Sequence, residues 1–146
     1  MKSLRPTRLG LVLAWTTVSV VLGAQNDETP TAHALVAAQH TLADPDWRAV
    51  ADALAAKHRS RVLSFTNSVF ETLPALRAHF PRYVCFVAPP ETVTRQLVID
   101  VHRLARRVDD DPYADFFWGI LTGYDAANAL RIARQHEPLT IRRVAS

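Results

Sequence analysis

Cysteine is almost missing from this chain: Cys85 is the single one among 146 residues. One thiol cannot form an internal disulfide, so an exported domain with this sequence has to be held together by its apolar core. Glycine is scarce as well, with four residues, and none stands in a G-x-G-x-x-G, G-x-x-x-x-G-K-[ST] or G-x-S-x-G arrangement. Phosphate-cradling loops and a serine-hydrolase elbow therefore have no basis in the sequence. The histidines at 33, 40, 58, 79, 102 and 136 form no H-x-x-x-H or H-E-x-x-H pair, which removes the helical zinc motifs.

A surplus of charge is also lacking once the first residues are set aside. Lys2, Arg5 and Arg8 account for the whole formal charge of +3, and the remaining basic residues equal the 14 acidic ones. The one basic cluster, Arg103, Arg106 and Arg107, is answered at once by Asp109, Asp110 and Asp111. No field of one sign exists to attract nucleic acid, and none is expected as a partner.

What is present is an ordinary globular composition, 49% hydrophobic and 21% charged, which sets the chain apart from disordered sequences. The N-terminus has the order of a secretory signal: positive charges over residues 1–8, an uncharged apolar stretch over 9–23, then polar Gln25, Asn26, Asp27 and Glu28. The apolar stretch is shorter than the roughly 20 residues a membrane-crossing helix needs. Gly23 and Ala24 are small enough for a peptidase to cut after, although Val21 and Leu22 are bulky for the position three residues before the cut. The expectation is a signal peptide over 1–24, a linker or N-terminal segment over 25–43, an α/β domain over 44–146, and a secreted or periplasmic location. Contact with a membrane would arise only through an uncleaved signal anchor.

Within the body, Ala-rich His33 to Leu42 reads as a first short helix or packing segment. Asp44-Pro45 supplies a cap and a first-turn proline for an amphipathic helix carrying Trp47, Val50 and Leu54. Arg61 to Thr66 has strand character and ends at Asn67-Ser68, which opens the capping box Ser68-x-x-Glu71. The helix after it turns Phe70, Leu73, Leu76 and Phe80 inward, with Pro74 kinking or restarting it and Pro81 ending it. Tyr83 to Val87 is an unbroken apolar run, the pattern of a strand covered on both faces. Val93, Leu97, Val101, Leu104 and Val108 recur at helical spacing. A further strand within Tyr113 to Leu121, a helix over Tyr124 to Gln135 and a strand over Leu139 to Val144 complete the alternation. Such alternation predicts an α/β layered fold with a mainly parallel sheet flanked by helices.

Phe80-Pro81-Arg82-Tyr83-Val84-Cys85-Phe86-Val87, then Asp111-Pro112-Tyr113-Ala114-Asp115, then Gly119-Ile120-Leu121-Thr122 leading into the helix at Ala126 to Ile132, form an order that resembles the gingipain-type cysteine peptidase domain. The resemblance covers roughly residues 46 to 135. It implies the N-terminal portion of a peptidase domain, an incomplete domain that stops before the catalytic His-Gly and Gly-Cys segments. Trp118-Gly119-Ile120-Leu121 also lacks the Arg-x-Pro of the family strand, and no residue matches the nucleophile. The resemblance therefore implies a chain that does not hydrolyse peptides alone, and no catalytic or cofactor-binding residue is assigned.

Among candidate sites, Cys85 in the middle of an apolar strand reads as core, because an apolar environment raises a thiol's pKa and blocks access. Asp109, Asp111 and Asp115 offer hard oxygen ligands suited to calcium, yet they lack the D-x-[DN]-x-[DN]-G loop, and a solvated turn explains them as well. Asn67 and Ser68 lie where α/β sheets bind ligands, but helix capping accounts for them. The alternative to the peptidase-like reading is a small extracytoplasmic binding or protein-interaction module that presents strand ends or the aromatic group Phe116, Phe117 and Trp118 to a protein partner.

Overall fold

In a computed structural model the described residues, 32–137, form one α/β unit. The signal segment expected over 1–24 and the strand expected over 139–144 lie outside the described residues. In chain order come β1 (His33–Ala38), α1 (Gln39–Ala43), α2 (Pro45–His58), β2 (Arg61–Phe65), a 3-10 turn at Val69–Thr72, α3 (Leu73–His79), β3 (Tyr83–Val87), a second 3-10 turn at Pro90–Thr92, α4 (Arg95–Leu104), β4 (Phe117–Leu121) and α5 (Ala126–Ala133).

The strands make one sheet in the order β2-β1-β3-β4, and every neighbouring pair is parallel. The predicted layered α/β fold is the one observed. Val36 of β1 sits level with Leu63 of β2 and Phe86 of β3, and Phe86 with Ile120 of β4. The chain leaves β1 toward β2 on one side and then crosses back to β3 on the other. A topological switch point therefore lies between β1 and β3.

The centre of the sheet departs from the sequence reading. His33–Ala38, read there as linker or first short helix, is a central strand with five of its six residues buried. Alanine favours helix by local propensity, but a central strand between two helical layers has no room to spare, and packing overrides propensity. Ala34, Ala37 and Ala38 let α2 and the opposite layer approach the sheet closely.

Two cores result, one on each face. Leu35, Ala37 and Val87 pack under Trp47, Val50, Ala51 and Leu54 of α2 and Ala129 and Ala133 of α5. On the opposite face, Ala34, Val36, Leu63, Val84 and Phe86 meet Val69, Leu76, Val101, Leu104 and Phe116. The alternation of β3 thus serves both layers, which explains its unbroken apolar run.

Helix ends follow local chemistry. The Asp44 carboxylate accepts from the N–H groups of Asp46 at 2.9 Å and Trp47 at 3.3 Å, with Pro45 in the first turn of α2. Pro74 lies in the first turn of α3, so it restarts a helix after the 3-10 turn rather than kinking one. In this glycine-poor chain the left-handed residues that end α2 and α3 are Arg59 (φ 51°) and Phe80 (φ 45°). Their N–H groups donate to Ala55 and Leu76, the closure usually given to glycine.

Candidate functional site

Open α/β sheets bind ligands in the crevice at the carboxyl ends of their strands, beside the switch point. Here that crevice lies between the ends of β1 and β3. Ala38, Val87 and Ala88 line it from the sheet, Phe65 from β2, Leu97 from α4, and His40 and Thr41 from α1, around a cavity of about 100 Å³. Thr41 is a buried polar residue at 2% exposure, whereas His40 stands exposed at the rim. Thr92 also lines the crevice, but its hydroxyl donates to the Pro89 carbonyl at 2.8 Å and so holds the turn. No carboxylate, ammonium or guanidinium lines this space, and its size suits a small, weakly polar group.

Asn67 and Ser68 sit where the sequence places them, just beyond β2. A bound anion there would use backbone N–H donors, and the protein's own Glu71 already does so. Its carboxylate accepts from Thr66 at 2.8 Å, Asn67 at 2.9 Å and Ser68 at 3.0 Å, while Ser68 Oγ accepts from Phe70 N–H at 3.3 Å. The N–H groups of Thr66 and Asn67 hold the Glu71 carboxyl below its ordinary pKa. The reciprocal capping box predicted from Ser68 and Glu71 is present, on the 3-10 turn.

The acidic turn brings Asp109, Asp111 and Asp115 together, with one carboxylate oxygen from each within 4.8 Å of the others. Each also has a structural task. Asp109 accepts from Asp111 N–H at 2.9 Å, Asp111 from Tyr113 N–H at 2.7 Å, and Asp115 from Val108 N–H at 2.8 Å. Arg106 donates to the Pro112 carbonyl and folds the turn back on α4. Partial burial pushes the Asp115 pKa up; the Val108 N–H opposes the shift and the Asp109 charge adds to it. Three hard oxygens at this spacing are compatible with a calcium ion, and equally with a hydrogen-bonded turn.

Cys85 lies in mid-strand β3, half-buried, on the face covered by α2 and α5. Burial pushes its thiol up to about 11, with the Leu121 backbone acting weakly in the opposite direction. Such a thiol is protonated near neutrality and is a poor nucleophile. The aromatic triplet divides: Phe116 is buried, Trp118 is half-buried against the same core, and Phe117 turns to the other face with 67% of its surface exposed.

One arrangement escaped the sequence reading. His58 stacks on His33 with ring centroids 4.9 Å apart, His33 on Tyr83 at 4.8 Å, and Tyr83 on Phe117 at 5.8 Å. His33, Tyr83 and Phe117 are the first residues of three adjacent strands in one register. The signal was there in the strand starts, but it is invisible until His33–Ala38 is known to be a strand. Burial lowers the His58 pKa, and the positive charges of His33 and Lys57 lower it further.

Comparison with known proteins finds no matching family model, no matching curated protein and no matching solved structure. Among the described residues, no helix is long and apolar enough to cross a membrane.

Proposed function

We propose that this chain is an exported α/β protein resembling the N-terminal part of a gingipain-like cysteine peptidase domain, and that it does not itself hydrolyse peptides. The observation that carries the absence of Cys85-dependent hydrolysis is the setting of that thiol. A cysteine nucleophile needs an activated thiolate with a histidine in reach, whereas this thiol lies in mid-strand with its pKa pushed up to about 11. The parallel order β2-β1-β3-β4 provides the sheet on which such a domain would be built.

The test is hydrolysis of a mixed peptide library by the purified full chain, with and without dithiothreitol. The expected result is no thiol-dependent cleavage. Cleavage that disappears in Cys85→Ser would overturn the reading. Export is checked separately by the intact mass of secreted protein, which should lack about 23 or 24 residues if the signal is removed.

A second reading, a small binding module, is favoured by the crevice at the switch point. Its uncharged lining, with Thr41 buried and His40 at the rim, suits a small neutral ligand. Titration with small neutral amides and alcohols should then shift the amide resonances of Ala38, Thr41 and Ala88. Shifts confined to other parts of the molecule would count against it.

A further inference from the structure

A second cavity lies at the opposite end of the sheet, between the last turn of α2 and the first residues of the strands, with a volume of about 220 Å³. The stacked row His58, His33, Tyr83 and Phe117 forms its wall, and the paired residues Cys85 and Gly119 of β3 and β4 lie in its floor. Leu54 and Ser60 border it on the α2 side.

We propose that this cavity binds a small, uncharged, planar aromatic molecule of one or two rings. Size is the first reason: an apolar cavity of about 150 Å³ accommodates benzene, so this one has room for a substituted ring or a fused pair. The floor is the second. A Cβ built on Gly119 would meet no heavy atom within 4 Å, so the strand is bare there and a flat molecule can lie against it. The wall is the third, since aromatic rings favour offset or edge-to-face contact with another ring over contact with a saturated group.

Charge and solvation agree with this class. No aspartate, glutamate, lysine or arginine lines the cavity. Burial keeps the Cys85 thiol protonated and disfavours the charged form of His58. Phe117 gives 67% of its surface to water and Tyr83 38%, and covering this apolar area favours binding. The Ser60 hydroxyl and the His58 imidazole are polar groups of the lining that suit a ring N–H or a phenolic O–H.

The experiment is an amide-resonance titration of the full chain with indole, using cyclohexanol as a neutral saturated control and benzoate as a charged aromatic control. Indole is expected to give saturable shifts at Tyr83, Cys85 and Gly119, and each control to bind about tenfold more weakly. Gly119→Val places a side chain on the floor, where its Cβ meets no heavy atom within 4 Å, and should weaken indole binding by about tenfold or more, with the resonances of β1 and α2 unmoved. Phe117→Ala removes an exposed ring and should weaken binding as well, and it decides the matter if Gly119→Val fails to fold. The proposal is overturned if indole gives no saturable shifts at these amides, if either control binds as tightly, or if both folded variants bind indole like the parent.

Discussion

Cys85 pairs with Gly119 across the parallel β3–β4 junction, so the single thiol of the chain lies beside a residue with no side chain. Its protection comes from the sheet and the helices over it, not from its cross-strand neighbour. Burial is the main reason the thiol is pushed up to about 11.

Alkylation of native protein should report this directly. The iodoacetamide rate is expected to rise about tenfold per pH unit from pH 7 to pH 10, following the thiolate fraction. A plateau near the ordinary thiol value of 9.0 would show that the site is solvated. Because the folded value lies above the ordinary one, the stability linked to the protonated thiol is fully present below pH 9.0 and declines as pH rises toward 11.

Glu71 predicts the opposite dependence. Its carboxyl is held below the ordinary value of 4.5 by the Thr66 and Asn67 N–H groups, so its contribution is present above pH 4.5 and lost as pH falls through the folded value. Urea unfolding at pH 7 should show Glu71→Gln less stable than the parent, and the difference should shrink at pH 3. Equal stability at pH 7 would mean that the capping box adds nothing.

Two helix ends carry backbone strain that glycine would relieve. Arg59 is exposed and adopts φ 51° to close α2. Arg59→Gly is expected to raise stability by about 1 kcal/mol in chemical denaturation, despite the larger entropy of glycine in the unfolded chain. A loss of stability would show that the arginine side chain has a packing role there.

Leu35 tests the placement of β1. It is fully buried under α2, and Leu35→Ala should cost about 2–5 kcal/mol. Tyr124, 94% exposed, is the control, and Tyr124→Ala should change stability by less than about 0.5 kcal/mol. Equal effects of the two would exclude His33–Ala38 from the core.

Much of this architecture was legible in local chemistry. Asp44-Pro45 marked the start of α2, Ser68 and Glu71 announced their capping box, Pro81 closed α3, and Tyr83 to Val87 declared a strand covered on both faces. The central strand was not legible, because alanine carries no strand signal of its own. The aromatic row was hidden with it, since His33 aligns with Tyr83 only after β1 is set beside β3.

By itself the sequence determined the alternation of helix and strand from α2 onward, the caps and the absence of glycine-rich phosphate-loop motifs, because these depend on residues close together in the chain. Tertiary structure alone decided which strand lies at the centre, where the switch-point crevice opens, and which side chains gather at the two cavities. Those depend on contacts between residues far apart in the chain, and packing between layers selects them against local preference.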